Sequence, residues 1–416
     1  MINRRELARL VGAGMAGLTL GCGDNLTRPN AGAAVLEPSS DALLVSVWSA
    51  VGARARIEVY EGGTLVREAE VELGDSGIAA FDVDSLLPSR AYEIVVTTER
   101  GERIGTYRAR TAPATGDARP IRIAVSADFD CDPAWDSDLV DHVVAAEPEL
   151  YISLGDFPYT DNGPDVAMTV PAYRDRHAQL RTVAHGRRLL EGVGIRAIYD
   201  DHEYRNDWDA MVAAAETSRY AAAMQVWDEF FPIRGARDDV RYRSWRWGQH
   251  VECFLLDTRR YRSANAAADT VEKTMLGATQ EAWLAEGIAR STATFKLVLT
   301  SVPLDFGLGN DHWQTFTAAR RRLFEATAAT RGVLFISADQ HWFASHRHAG
   351  GQREFQVGPI ARGIGEFGPA ATGVLARYGQ HNACILDVTG DAIAMTAIGL
   401  GGAILHEETL TIDELG

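Results

Sequence analysis

Acidic residues follow five short apolar segments of this sequence, at the point where each segment ends. The segments are IRIAVSA, LYISLG, IRAIY, VECFLL and VLFISA, and the residues that follow them are Asp128, Asp156, Asp200, Asp257 and Asp339. Apolar runs of this length are typical of buried strands, and ligands of α/β proteins bind beyond the carboxyl ends of the strands. A single aspartate at such a place often only caps a helix or starts a turn, so it is the repetition that predicts a shared site.

Histidine and tyrosine side chains accompany these carboxylates and predict a metal site. Carboxylate and imidazole groups are ligands that iron, manganese, zinc and calcium take in proteins. Asp156 is able to bridge two ions, and Tyr159 is either a ligand to ferric iron or a buried core tyrosine. Asp339 and His341 are two residues apart, and in an extended segment their side chains point to the same side. Two ions about 3.5–4 Å apart clamp the attacking and leaving oxygens of a hydrolytic reaction.

The elements that must position these residues are strands alternating with helical stretches from about residue 119 onwards. This alternation predicts an α/β sheet covered by helices. Residues 41–114 instead contain short alternating strands separated by turn residues, which predicts an antiparallel β-sandwich. Residues 23–40 are rich in Asn, Ala, Pro, Ser and Gly and predict a linker. No titratable cluster stands out in the sandwich, which we interpret as a packing or spacing domain.

Five ordered motifs resemble those of the calcineurin-like metallophosphoesterases, and within them the alkaline phosphatase D (PhoD-like) family. They are GDFPY at 155–159, DDHEYRNDW at 200–208, LDTRRYR at 256–262, TMLGATQEAWL at 274–284 and SADQH at 337–341. The resemblance covers most of residues 119–400. It implies a calcineurin-like metallophosphoesterase sandwich domain of the α/β class at 119–416, preceded by a small all-β, fibronectin type III-like domain.

The resemblance also implies roles for individual residues. His202 would hold the scissile phosphate and protonate the leaving oxygen. Arg259 would clamp the phosphate, although a structural ion pair is an equal alternative. Asp201, or its neighbour Asp200, would serve the second metal region. The full set of implied metal ligands is Asp128, Asp156, Tyr159, Asp201, Asn206, Asp339 and His341.

A further family motif, which precedes these five, usually carries a cysteine after a serine, and this chain departs from that pattern. This chain has Ser126 followed by Ala127 and Asp128. We therefore expect the Asp128 carboxylate to take the place of the thiolate, with Cys131 as the alternative ligand. A carboxylate makes the ferric site harder and richer in oxygen.

The function implied is that of a phosphodiesterase and phosphomonoesterase in which metal-activated hydroxide attacks phosphorus in line. The implied metals are iron (Fe3+) with calcium, with zinc or manganese as alternatives. The implied substrate is a phosphate ester, whether a small molecule, a phospholipid or a cell-wall polymer. The net charge of −16 argues against a nucleic-acid partner. The competing hypothesis is an exported adhesion or ligand-binding protein that binds metal without catalysis.

Residues 1–22 predict an export signal. Arg4 and Arg5 precede an apolar, uncharged run at 10–21, which is too short to span a bilayer. The adjacent arginines resemble the twin-arginine motif, which implies the corresponding export machinery as a partner. Cys22 is a candidate for lipid attachment. The expected location is the periplasm or the outer side of the membrane.

Overall fold

The computed structural model of the protein describes residues 30–50, 52–163, 165–236, 240–305, 307–368 and 372–416. The predicted export signal at 1–22, with Cys22, lies outside these residues. So do residues 23–29 of the predicted linker. Within the described part of the chain, every helix is too short or too polar to cross a membrane.

The first seven strands follow one another along the chain with no helix between them. They are β1 (Ala31–Leu36), β2 (Leu43–Ser49), β3 (Arg54–Glu61), β4 (Thr64–Glu72), β5 (Ile78–Val83), β6 (Ala91–Thr98) and β7 (Arg103–Arg110). The later strands are β8 (Ile121–Ser126), β9 (Leu150–Ser153), β10 (Ile195–Ala197), β11 (Arg243–Trp247), β12 (Val251–Leu255), β13 (Phe295–Leu299), β14 (Val333–Ser337), β15 (Phe343–Arg347), β16 (Arg353–Gln356), β17 (Val374–Tyr378), β18 (Ala383–Val388), β19 (Ala392–Ile398) and β20 (Ile404–Thr411).

Seven α-helices lie between the later strands of the described chain. They are α1 (Leu139–Ala145), α2 (Val170–Thr182), α3 (Ala184–Gly192), α4 (Ala210–Ala215), α5 (Thr217–Phe230), α6 (Gly277–Arg290) and α7 (Thr317–Thr327). The sequence predicts one helical stretch from 170 to 190. The structure divides it at Val183, whose extended backbone (φ −68°, ψ 151°) ends α2 and precedes α3.

Two large mixed sheets pack face to face. One has nine strands in the order β20-β19-β18-β8-β9-β10-β1-β2-β5, and the other has seven in the order β11-β12-β13-β14-β16-β15-β17. Alternate strand residues such as Ile123, Ile152, Leu297 and Ile336 fill the core between the sheets. The other strand faces are covered by helices, with α1, α2, α3 and α5 on the nine-stranded sheet and α6 and α7 on the seven-stranded sheet. The expected α/β sheets covered by helices are therefore present.

Three of the seven N-terminal strands belong to a large sheet, which corrects the predicted linker and sandwich boundaries. β1 lies inside the predicted linker, is wholly buried and pairs with both β2 and β10, so that β1, β2 and β5 extend the nine-stranded sheet. Strands β4, β3, β6 and β7 form a separate four-stranded sheet. Helix α2 packs so closely on β1 that a Cβ atom at Gly32 would lie 2.6 Å from Arg181. The small residues of AGAAVL permit this approach, and they are also why the segment does not look like a strand in sequence.

Candidate metal centre and active site

The parallel strands bring the acidic residues of the sequence motifs to one edge of the two sheets. β8, β9 and β10 run parallel in one sheet, and β12, β13 and β14 run parallel in the other. Asp128, Asp156 and Asp200 lie just beyond the first three strands, and Asp339 lies just beyond β14. The carboxylates are therefore assembled from segments that are distant in sequence.

Asp128, Asp156 and His341 form the first group of potential ligands, with one donor atom from each lying within 4.8 Å of the others. His341 Nε2 lies 3.6 Å from Asp128 Oδ1 and 2.9 Å from the Tyr159 hydroxyl oxygen. Both carboxylate oxygens of Asp128 are buried and lack a hydrogen-bond partner. Burial, together with the Asp200 carboxylate, raises the pKa of Asp128. Buried oxygens without donors are costly unless a cation compensates them, so this group fits a metal ion.

Asp201 connects this group to a second one. A carboxylate oxygen of Asp201 lies within 4.8 Å of potential ligand atoms of Asp156 and His202. A carboxylate oxygen of Asp201 also lies within 4.8 Å of oxygens of Asp200 and Asp339. Asp201 Oδ2 accepts the backbone N–H of Asp207 at 2.6 Å, whereas Oδ1 has no hydrogen-bond partner. The arrangement can therefore hold two cations. Asp156 belongs both to the group with Asp128 and His341 and to the group with Asp201 and His202.

The His202 ring lies at the edge of the second group. Its Nδ1 is 2.6 Å from Asp161 Oδ1, and its Nε2 is 4.0 Å from Asp156 Oδ2. The ring packs against Tyr159 with 4.3 Å between the ring centroids. Burial opposes the charged form, but the carboxylates of Asp201 and Asp161 outweigh it and raise the pKa of His202 to about 9. The contact with Asp161 favours the protonated form of the ring.

Two roles were predicted for Arg259, a phosphate clamp and a structural ion pair. In the structure Arg259 forms a structural ion pair. Its side chain is fully buried and makes two hydrogen bonds to Asp200, at 2.6 and 2.7 Å. It is also 2.6 Å from Asp311 Oδ2. Contact with a substrate phosphate would require this network to open, so the structure does not place Arg259 as a phosphate clamp.

Asn206 lies at the mouth of the site. Its backbone N–H donates to Asp161 Oδ2 at 2.6 Å, and its side chain is exposed. It lines a cleft of about 250 Å³. The other lining residues are Asp201, His202, Asp207, Leu308, Asp311, Asp339, Gln340, His341, Gly365 and Glu366.

Arg362 is a partly exposed cation beside the metal ligands. Its guanidinium carbon lies 4.5 Å from the centre of the Tyr159 ring, and its Nη1 is 2.6 Å from Asp130 Oδ2.

Cys131, one residue beyond Asp130, is buried in the apolar core, and burial raises the pKa of its thiol. The structure therefore directs Asp128, and not Cys131, toward the other ligands.

The backbone at these positions is unusual. Asp128, Asp156, Asp339 and His341 have φ values of 60°, 55°, 77° and 59°, in the left-handed region that non-glycine residues rarely adopt. Gly155 has φ 119°, and a Cβ atom there would lie 2.4 Å from Asp200 Cβ. Such local strain clusters at functional sites, where the surrounding structure holds it.

A family model described as PhoD-like phosphatase matches residues 136–382, more than half of the chain. The chain belongs to the PhoD-like phosphatase family. Alkaline phosphatase D of Bacillus subtilis (strain 168) is 28% identical over 244 residues, which are 50% of this chain and 42% of that protein. The chain thus aligns with less than half the length of this curated relative. A solved structure described as that of PhoD has the same fold, with a TM-score of 0.82 at 19% identity over 94% of this chain and 90% of that one.

Four residues of this site were not predicted from the sequence, and three of them share a setting. Asp161 holds His202, Asp311 pairs with Arg259, and Arg362 covers Tyr159. All three lie in loops, where neither periodicity nor strand ends predict which side chain turns inward. Glu203 was also missed, although its position in the DDHEY motif was a signal. Its buried carboxylate accepts the backbone N–H groups of Phe157 and Asp200 at 2.6 and 2.9 Å and so fixes the loop that carries the ligands.

Proposed function

We propose that this protein is an exported, metal-dependent phosphohydrolase that cleaves phosphodiesters and phosphomonoesters. The proposal rests mainly on one observation, a group of buried carboxylates beside a cleft in which both oxygens of Asp128 and Oδ1 of Asp201 lack hydrogen-bond donors. Family membership agrees with this reading. The acidic site needs cations before it can attract a phosphate ester, because the carboxylates alone would repel it.

The donor atoms fit ferric iron with calcium. Asp128, Asp156, Tyr159 and His341 offer hard oxygen donors and one imidazole to the iron. Asp201 and Asp339, with Asn206 beside them, offer oxygen donors of the kind that calcium takes. Zinc or manganese are the alternatives. The bound cations would supply an activated water and neutralise the charge that develops on phosphorus oxygens during transfer.

The protein's own residues then position the substrate and move the proton. His202 would donate a proton from Nε2 to the leaving oxygen, because its Nδ1 is already engaged by Asp161. Asp161 orients the ring and stabilises its charged form. Arg362 would bind a non-bridging phosphate oxygen with the guanidinium nitrogens that Asp130 does not use.

The experiment that tests the proposal is hydrolysis of bis-p-nitrophenyl phosphate and p-nitrophenyl phosphate by the purified protein, with elemental analysis of the same sample. We expect turnover that a chelator abolishes and that iron and calcium restore. His202→Ala should retain metal but lose activity on esters with poor leaving groups. His142→Ala, an exposed histidine of α1, is the matched control. A metal-loaded protein that hydrolyses neither compound would support the non-catalytic binding protein instead.

We also propose export to the periplasm or to the outer side of the membrane. The support is the Arg4-Arg5 pair before the apolar run at 10–21. Cell fractionation should find the protein outside the cytoplasm, and a double Lys substitution of the two arginines should retain it inside. Cys22→Ala tests lipid attachment, because it should remove incorporation of labelled fatty acid. Unchanged location of the arginine variant would contradict the twin-arginine route.

A further inference from the structure

A second cluster of potential metal ligands contains none of the catalytic residues and is formed by β15, the residues after it and the segment that follows β13. Asp305 Oδ2 is 3.8 Å from His348 Nδ1 and 4.0 Å from His346 Nε2. One ligand atom from each of the three residues lies within 4.8 Å of the others. Both distances are too long for hydrogen bonds, but they are close to the spacing of ligands around one ion.

The fold brings these three side chains together from two segments. His346 lies in β15 and His348 follows two residues later, so their side chains point to the same side of an extended chain. Asp305 follows β13 in the segment that leaves the sheet. Glu354 lies in β16 directly opposite His346 in the antiparallel pair.

Glu354 supplies the supporting carboxylate that metal-binding histidines usually have. His348 Nε2 is 2.9 Å from Glu354 Oε2, and His346 Nδ1 is 3.9 Å from the same oxygen. Each ring therefore turns one nitrogen toward Glu354 and the other toward Asp305. A carboxylate behind the far nitrogen orients the ring and makes the near nitrogen a better ligand.

The other contacts of Asp305 and Glu354 involve the oxygens that do not face the histidines. Arg320 binds Asp305 through Oδ1, so that Oδ2 is the oxygen that faces the histidines. Glu354 Oε1 is held by the backbone N–H of Leu304 at 3.0 Å and by the Ser337 hydroxyl. His346 Nε2 lies 2.8 Å from the Thr372 carbonyl oxygen, so ion binding requires the ring to give up this hydrogen bond.

We propose that Asp305, His346 and His348 bind a divalent transition metal, Zn2+, outside the catalytic centre. Two imidazoles and one carboxylate suit zinc, which takes three protein ligands and a water in open sites. Zinc ligands about 2.0–2.1 Å from the ion lie roughly 3.3 Å apart in a tetrahedron, so the cluster must contract by roughly half an ångström. Asp305, whose side chain is partly exposed, can make that adjustment.

The cluster is accessible and is connected to the catalytic cleft. Asp305 and His348 line a separate surface cavity of about 410 Å³, which gives an ion a path and leaves room for water. Beyond Asp305 the chain continues to Leu308 and Asp311, which line the catalytic cleft. The backbone N–H of Leu308 donates to Gln340 at 2.8 Å, next to Asp339. A bound zinc ion would therefore fix the position of the segment that forms one wall of the catalytic cleft.

The test is equilibrium dialysis of the metal-stripped, full-length protein against Zn2+, with the bound zinc measured by elemental analysis. Because zinc also enters the catalytic centre, each measurement is repeated in an Asp156→Asn, His341→Ala background. We expect His348→Gln and Asp305→Asn each to reduce the bound zinc by about one ion per chain in both backgrounds. His406→Gln, an unrelated histidine on β20, should change nothing, and circular dichroism checks that every variant is folded.

A zinc-edge anomalous map of soaked crystals locates the ion directly. The expected result is a peak bounded by Asp305, His346 and His348, which is absent in His348→Gln. Equal zinc stoichiometry in the parent and in both cluster variants would overturn the proposal. The four side chains would then form a metal-free network held by the contact between His348 and Glu354. Either result is independent of whether the catalytic centre hydrolyses phosphate esters.

Discussion

His202 and Asp161 form a partly buried pair in which Nδ1 of the ring lies 2.6 Å from Oδ1 of the carboxylate. The second oxygen of Asp161 accepts the backbone N–H of Asn206 at 2.6 Å, so the carboxylate cannot rotate away from the ring. Because one ring nitrogen is committed, only Nε2 is able to exchange a proton with a substrate. The pair therefore defines the orientation of the ring and leaves Nε2 as the nitrogen that would transfer a proton.

Asp161→Asn should lower kcat for an alkyl phosphodiester by about 10- to 100-fold, since general acid catalysis is worth at least that much. The reduction should be smaller for p-nitrophenyl esters, whose leaving group needs little protonation. Metal content should be unchanged. Asp165→Asn, an exposed residue of the same loop, is the control. Equal losses on both classes of ester would indicate that Asp161 supports the fold and not proton transfer.

Tyr159→Phe tests whether the phenol binds iron. The hydroxyl oxygen lies 2.9 Å from His341 Nε2, and burial together with the carboxylates of Asp156 and Asp128 raises the pKa of Tyr159 far above its usual range. Only a strong Lewis acid would ionise it. The iron-loaded protein should therefore show a visible charge-transfer band that disappears in Tyr159→Phe and persists in Tyr173→Phe. A colourless, iron-free and fully active enzyme would point to zinc or manganese, with Tyr159 as a supporting residue.

The replacement of the family's cysteine can be tested at two neighbouring positions. Asp128→Ala should remove about one metal ion per chain and nearly all activity, because both oxygens of Asp128 face the site without other partners. Cys131→Ser should have little effect on metal content, because the thiol is buried in the apolar core. Elemental analysis of both variants decides between the ligands. Loss of metal only in Cys131→Ser would show that the thiolate has moved along the loop.

Arg362 and Arg259 should respond differently to substitution. Arg362→Ala removes a partly exposed cation beside Tyr159 and should lower kcat/KM by roughly 10- to 100-fold, the effect of one charged hydrogen bond. Arg259→Met leaves the buried Asp200 carboxylate without its cation, whereas Asp311 keeps its contact with Arg262. It should lower the free energy of unfolding by about 3–5 kcal/mol. Denaturant unfolding and steady-state kinetics on both variants separate the two roles, and the opposite pattern would restore Arg259 as the phosphate clamp.

The acidic residues at the strand ends could be predicted, because buried strands are apolar in sequence and parallel strands end at the same edge of a sheet. Apolar runs such as 121–127 and 333–338 form strands, and parallel pairing brings Asp128 and Asp339 to the same edge of the fold. Alternating apolar residues also predicted most of the N-terminal strands. These signals depend on local periodicity, which a single sequence contains.

Two kinds of feature could not be predicted in this way. β1 is built from small residues whose burial results from the packing of α2 and from pairing with β10, and both partners are distant in sequence. Asp161 and Arg362 act from loops whose course depends on tertiary contacts, such as the bond between Arg362 and Asp130. Propensity carries no information about such long-range contacts.

Glu37 joins the N-terminal strands to both large sheets and should contribute a pH-dependent part of the stability. It is buried and lies 2.6 Å from Arg196 of β10 and 2.5 Å from Arg243 of β11. Burial alone would favour the neutral acid, but the two guanidinium groups outweigh it and lower the pKa of Glu37 below its usual range. A lowered folded-state pKa contributes stability above the unfolded-state pKa of about 4.3, and this contribution is lost as the pH falls through the folded-state value.

Glu37→Gln should therefore lower the free energy of unfolding by about 3–5 kcal/mol at pH 7, because it leaves two buried cations without their partner. The difference between the parent and the variant should shrink as the pH is lowered below about 4.3, where the parent also loses the charge. Urea unfolding of both proteins between pH 7 and pH 3 measures this difference directly. Glu72→Gln is the control, because its ion pair with Arg54 is exposed and is worth only about 0–1 kcal/mol. A Glu37 difference that stays constant over this range would mean that the carboxylate acts by packing and hydrogen bonding alone, without the charge.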